Sequence, residues 1–188
     1  QRLIVYIHGG PYGIRDFDSY DFSEQYLASK GAAILKVNFR GSGGYGKDFI
    51  EDSYNQWGGT LLNDIADATK SVQKELGIGR EKTCAFGASY GGYAAIAMAY
   101  KHSELYECVA GGMGVYDIKI LRDGTDGNVY TYNDDYEEMA EDFWGNDEAR
   151  HIDFSPVSNA NKMKSRILMW HGLQDPISPI LHMEKMKE

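Results

Sequence analysis

The sequence is short of positive charge. Its 19 Lys and Arg face 28 Asp and Glu, for a net charge of −9. Such a chain repels a phosphate backbone, so nucleic acid is not an expected partner. No apolar run approaches the length of a bilayer span, so no membrane partner is expected either, and no signal-peptide pattern opens the chain. Internal repeats, low-complexity linkers and Asn-x-Ser/Thr sequons are all missing. Cysteine is scarce. Cys84 and Cys108 both lie in apolar, strand-like runs, which predicts two buried free thiols. None of these absences fixes the compartment: the cytoplasm is the expectation, and the periplasm stays open. Oligomeric state is equally open.

What remains is an ordinary globular composition, 188 residues with 43% hydrophobic and 25% charged side chains, enough for one domain with a real core. Short apolar runs alternate with amphipathic ones. LIVYIH (3–8), AAILKVNF (32–39), TCAFG (83–87), YECVAGGM (106–113) and RILMWH (166–171) read as strands. FSEQYLASKG (22–31) and YGGYAAIAMAYK (90–101) read as helices, and another helix starts at Pro179. The clearest helix spans 60–77, where Leu62, Ile65, Ala66, Thr69, Val72, Gln73 and Leu76 recur at three- and four-residue steps and Gly77 closes it. This alternation predicts an α/β fold, a mostly parallel sheet with helices on both faces. About fifty irregular residues separate the fourth and fifth strands, long for a simple connection. Within them, residues 134–148 hold eight acids and no Lys or Arg. They read as a solvated helix face, or else as a lid anchored by Tyr136, Phe143 and Trp144.

Ser89 is the chemical focus. It follows the third strand directly, precedes a helix, and sits in Gly87-Ala-Ser-Tyr-Gly91 with a further glycine at Gly92. Gly-x-Ser-x-Gly between strand and helix is the nucleophile elbow, a turn too sharp for Cβ atoms at its flanks. It holds the serine hydroxyl out of the sheet at a helix N-terminus, whose dipole favours developing negative charge. The alternative is a serine that only caps the helix. A nearby Gly-x-Gly-x-x-Gly match, GSGGYG (41–46), fails as a dinucleotide site. The next strong helix starts only near Thr60, and the acids at the right distance, Asp64 and Asp67, lie inside it. The stretch reads as a turn with Arg40 in a structural ion pair, and no cofactor or metal is expected.

A serine nucleophile needs a base, an orienting carboxylate and oxyanion donors. Asp175, in HGLQDPISP (171–179) after the fifth strand, stands where the acid of a Ser–Asp–His order belongs; Asp117, after the fourth strand, is its rival. The Tyr90 backbone N–H is one expected oxyanion donor. The second comes from the loop after the first strand, IHGGPYG (7–13), whose glycines permit close backbone approach.

Together HGGP (8–11), NFRGSGGYG (38–46), GASYGGY (87–93) and HGLQDPISP (171–179) resemble the prolyl oligopeptidase family of serine peptidases, over nearly the whole chain. HGGP is closest to its acylaminoacyl-peptidase and dipeptidyl-peptidase-like branch. The resemblance implies an α/β-hydrolase fold and a peptidase acting on short peptides through an acyl-enzyme on Ser89. A carboxylesterase, or a non-catalytic module of the same fold, are the alternatives. Several members place a tyrosine at the position of His8; with histidine there, a backbone N–H of Gly9 or Gly10 is the expected second donor. The resemblance also implies an apolar substrate pocket lined by Tyr90, Val115, Ile118 and Leu121. Members usually carry an N-terminal β-propeller, which these residues do not include, so residues 1–188 are expected to be one partial catalytic domain, cut at both ends. The base is expected outside them. In this fold it comes last, after one more strand, whereas His8 and His171 close strands, His102 ends the helix after Ser89, and His151 precedes the acid. His182 follows Asp175 by only seven residues, inside the final helix; if the base is in the chain, it is His182 or, failing that, His151.

Overall fold

The computed structural model describes residues 1–188. Five strands, β1 (Arg2–Ile7), β2 (Ala32–Lys36), β3 (Thr83–Ala88), β4 (Cys108–Gly112) and β5 (Arg166–Trp170), form one wholly parallel sheet in the order β2-β1-β3-β4-β5. Eight helices accompany them: α1 (Phe22–Ser29), α2 (Lys47–Glu51), α3 (Thr60–Leu76), α4 (Tyr90–Lys101), α5 (Ile118–Arg122), α6 (Tyr136–Trp144), α7 (Glu148–Phe154) and α8 (Leu181–Lys185). No helix is long and apolar enough to cross a membrane.

The predicted strands and long helices are present within a few residues. Gly77 takes a left-handed φ of 63° and ends α3, as a C-terminal glycine should. The stretch read as irregular is not structureless. It holds α5, α6, α7 and two 3-10 segments; α6 lies within the acidic stretch read as a helix face, whereas α5 and α7, at five and seven residues, are too brief to leave a helical period in the sequence.

Alternation decides which strand residues face α4. Leu3, Val5 and Ile7 of β1, Ala85 of β3 and Val109 of β4 are all buried on that side, with Leu61, Leu62, Ile65 and Ala66 of α3 in the same core. The other face is covered less completely. There α1 borders an apolar groove of about 670 Å³ whose walls include Tyr6, Phe86 and Leu168.

The expectation of free thiols is overturned. Cys84 and Cys108 are partners in the β3–β4 register with Cα atoms 4.6 Å apart, and they form a disulfide. Directly opposed residues of neighbouring strands share a face, which brings the two Sγ atoms together. Neither cysteine is fully buried.

At the start of α4 the packing is backbone against backbone. A Cβ added to Gly92 in the first turn of α4 would overlap the Gly112 carbonyl of β4. We expect Gly92→Ala to lower unfolding free energy by about 2 kcal/mol or more, since neither main chain can yield cheaply. Denaturant titration checks this; a change under about 0.5 kcal/mol, the size of a bland surface substitution, would show that helix and strand are not in this contact.

Candidate active site

Ser89 sits between β3 and α4 with φ 57° and ψ −127°. A positive φ is strained for a residue with a side chain and is held only by its surroundings. Here the Ser89 N–H donates to the Gly112 carbonyl at 2.9 Å, and its own carbonyl accepts from the Tyr93 N–H at 3.0 Å. The flanking glycines are sterically required. A Cβ on Gly91 would overlap the Ile7 carbonyl, and one on Gly87 would come within 2.7 Å of that same oxygen. The hydroxyl of Ser89 therefore stands clear of the sheet, partly exposed and in no hydrogen bond.

The loop after β1 comes to this hydroxyl. An added Cβ on Gly9 would lie 3.5 Å from Ser89 Cβ and 3.9 Å from Oγ. Gly10 has φ 114° and a cis bond to Pro11, a conformation open to glycine. As the first residue of α4, Tyr90 has no intrahelical acceptor for its N–H. Its side chain is wholly buried and donates to the Trp57 carbonyl at 2.9 Å, so only its backbone is available for chemistry.

His8 shapes that loop without reaching Ser89. Its Nδ1 donates to the Gly9 carbonyl at 2.7 Å, which leaves Nε2 to accept from the Ser42 hydroxyl at 2.9 Å. The ring stacks on Phe39 at 4.3 Å, and burial lowers its pKa, so it is a neutral spacer. Ser42 belongs to the GSGGYG turn. As expected, Arg40 beside it is tied up, with Nε 2.8 Å and Nη2 2.6 Å from the two oxygens of Asp64.

The two candidate acids differ in what they have spare. Asp117 Oδ1 caps α5 by accepting from the Lys119 and Ile120 N–H groups, and Oδ2 pairs with Lys185 Nζ at 2.9 Å. Asp175 Oδ1 accepts from the Ile177 and Ser178 N–H groups, each at 2.9 Å, and Oδ2 is uncommitted. Val115, Ile118 and Leu121 are buried in the main core. The acidic segment is α6 with its approaches, and its aromatic residues do anchor it: Phe143 stacks on Tyr12 of the HGGPYG loop at 4.1 Å, and Trp144 meets Trp57 edge-on at 5.7 Å.

No histidine hydrogen-bonds to Ser89; each bonds elsewhere. His102 Nε2 is 3.2 Å from Asn63 Oδ1. His151 Nε2 reaches the Trp144 and Gly145 carbonyls, and His171 Nε2 the Ser178 carbonyl. His182, wholly buried, binds Asp126 Oδ2 at 3.0 Å. Ser42 and Asp126 were not legible in the sequence, because each acts on a histidine tens of residues away and no local pattern marks it.

Comparison with known proteins bears on the family and the fold. A sequence model described as "Prolyl oligopeptidase family" matches residues 18–187. The chain is 30% identical to dipeptidyl aminopeptidase BIII of Pseudoxanthomonas mexicana, over 93% of this chain and 25% of that protein. It is 26% identical to acylamino-acid-releasing enzyme 1 of Oryza sativa subsp. japonica, over 94% of this chain and 23% of that one. Among solved structures, a puromycin hydrolase superposes with a TM-score of 0.87 at 26% identity, covering 98% of this chain and 27% of its own. Pyrococcus horikoshii acylaminoacyl peptidase gives a TM-score of 0.84 at 25% identity, covering 99% and 29%. The chain thus spans about a quarter of the length of the relatives it matches.

Burial lowers the pKa of both His8 and His102. A folded-state imidazole pKa below the unfolded value gives stability that is fully present above about pH 6.5 and is lost as pH falls through the folded pKa. The thermal midpoint should therefore drop on acidification from neutral pH, and His8→Asn should make that drop shallower. An unaltered pH slope in the variant would show that His8 is not held neutral by the fold.

Proposed function

The chain belongs to the prolyl oligopeptidase family, and on that premise we propose that it is the part of a serine peptidase that carries the nucleophile and the acid. The substrates are short peptides, cleaved through an acyl-enzyme on Ser89. The observation that carries this reading is the elbow itself: Ser89 at φ 57° with the backbone of Gly9 beside its hydroxyl. A serine that served only as a helix cap would bond its side chain into the first turn, and Ser89 makes no such bond.

In this mechanism Ser89 Oγ attacks the scissile carbonyl carbon and its proton passes to a histidine base. The carbonyl oxygen, now an oxyanion, takes the Tyr90 N–H and a backbone N–H of Gly9 or Gly10. Collapse breaks the C–N bond; the base gives the proton to the leaving amine, and water then hydrolyses the ester. Asp175 Oδ2 accepts from the base's other nitrogen, holds its tautomer and stabilises the imidazolium. On the same reading Val115, Ile118 and Leu121, which are buried in the core, would back the pocket for the residue before the scissile bond, and that favours an uncharged side chain there.

The base comes from outside residues 1–188. His8 and His182 have both ring nitrogens committed. His151 is buried on the Trp144 and Gly145 carbonyls, and His102 lies at the far end of α4 from the elbow. His171 closes β5 with its Nε2 donated to the Ser178 carbonyl. Residues 1–188 are on this reading one piece of an α/β-hydrolase catalytic domain, and the rest of the protein decides whether it acts as an exopeptidase.

A fluorophosphonate probe is expected to label Ser89 in the full-length protein, and Ser89→Ala to abolish labelling and cut turnover of aminoacyl or acyl-dipeptide chromogenic substrates by up to about a millionfold. Labelling that survives the substitution would remove Ser89 as the nucleophile. Turnover of esters without peptides would favour a carboxylesterase. Residues 1–188 alone are expected to show no Ser89-dependent turnover; rates matching the full-length protein would place the base among the five histidines.

A further inference from the structure

One buried polar cluster joins three segments around the candidate acid. Asp126 has a wholly buried carboxylate. Its Oδ1 accepts from the Asn128 backbone N–H at 3.2 Å and from Asn128 Nδ2 at 2.6 Å; its Oδ2 accepts from His182 Nε2 at 3.0 Å. On the other side of the ring, His182 Nδ1 faces the backbone N–H groups of Tyr116 and Asp117 at 3.3 and 3.4 Å. Donors at Nδ1 require its lone pair, so the proton sits on Nε2 and the ring is neutral. A buried carboxylate is costly unless its acceptor sites are filled, and three donors fill these.

Each end of the cluster is fastened to the proposed catalytic apparatus. Tyr116 and Asp117 follow β4, whose Gly112 carbonyl holds the Ser89 N–H. The Val129 N–H, three residues beyond Asp126, donates to the Pro176 carbonyl at 2.8 Å, next to Asp175. His182 itself lies on α8, just after the acid loop. Apart from the His171 Nε2 bond to the Ser178 carbonyl and the burial of Ser178, the loop has few ties to the sheet. Its Asp175 turn is local, and Leu173 is 83% and Ile177 48% exposed.

We propose that Asp126 and His182 form a clamp that positions Asp175 relative to Ser89. The inference rests on the reading of Asp175 as the triad acid. His182 is then a positioning residue that touches no reacting atom, and Asp126 is its partner. Because the acid acts on the base and not on the bound peptide, loosening the clamp lowers kcat and leaves KM alone.

The test is steady-state kinetics of the full-length protein on a chromogenic peptide substrate that its wild type turns over. His182→Ala is expected to lower kcat by about 10- to 100-fold, the effect of roughly an ångström of misplacement, with KM unchanged. His182→Gln, whose amide N–H replaces Nε2–H toward Asp126, should recover most of the loss. Asp126→Asn should lower kcat alone as His182→Ala does, and the double variant should cost no more than either single one, because the pair acts as a unit. If His182→Ala does not fold, the near-isosteric His182→Gln and Asp126→Asn carry the comparison, with Asp126→Asn the more damaged. Unchanged kcat in His182→Ala and Asp126→Asn, beside a wild type whose turnover depends on Ser89, would overturn the clamp and leave the peptidase reading standing. A rise in KM alone would overturn it too, since the cluster would then serve the substrate pocket. A wild type without Ser89-dependent turnover would bring down both.

Discussion

The close approach of the α4 N-terminus to β1 and β4 is the constraint from which the rest of the molecule follows. Gly91 rests against the Ile7 carbonyl and Gly92 against Gly112, at separations that admit no Cβ. Their lack of side chains lets the first turn of α4 sink into the sheet. Ten consecutive residues of that helix, Tyr90 to Ala99, are then buried. The same descent turns the chain at Ser89 into a positive φ, at about 1–3 kcal/mol. That strain persists because the turn cannot relax without lifting α4 off the core. One steric fact thus produces both the packing of the major helix and the presentation of the hydroxyl.

Around this point the loops are rigidified by groups that do no chemistry themselves. His8 spans from Gly9 to Ser42 and so ties the loop after β1 to the turn after β2. The Gly13 N–H to Gly41 carbonyl and Gly43 N–H to Ile14 carbonyl bonds repeat the tie along the backbone. Arg40, bidentate on Asp64, fastens that turn in its place to α3. On the opposite flank Tyr12 packs on Phe143, and the chain of rings continues through Trp144 and Trp57 to Tyr90. The acidic helix α6 is thereby bound to the elbow through apolar contacts, while its carboxylates stay at the surface, Glu137 paired there with Arg122 of α5.

What could be read from the sequence is what local stereochemistry controls. The elbow is legible because sterics demand glycine at fixed offsets from a serine. The helix from Thr60 is legible because its seventeen residues repeat an apolar stripe, and the strands because short apolar runs are bounded by turns. The glycine run at 41–46 could be rejected as a nucleotide site because the strand and acid it would need were missing from the neighbourhood. The misses have a common origin in contacts between distant residues. The Cys84–Cys108 bridge depends on the register of β3 and β4, set by packing of the whole sheet. The short helices α5 and α7 are stabilised by what they dock on, not by their own short patterns. Asp126 looks like any loop aspartate until His182, fifty-six positions later, is folded against it.

The same logic separates reactive groups from structural ones of identical chemistry. Five histidines, two well-placed aspartates and several serines are available, and residue type cannot rank them. Hydrogen-bond commitments can. Asp117 has both oxygens spent, on a helix cap and on Lys185, so moving it to orient a base would uncap α5. Asp175 spends one oxygen on its own turn and keeps the other. Ser42 and Ser155 have hydroxyls locked in buried bonds, whereas the Ser89 hydroxyl has none. The Tyr90 N–H has no intrahelical acceptor because a helix must begin somewhere, and this one begins at Ser89. A fold satisfies its polar groups wherever they are buried. Among the groups around the elbow and the acid loop, Ser89 Oγ and Asp175 Oδ2 make no hydrogen bond, and on the proposed reading a bound substrate and a base would complete them.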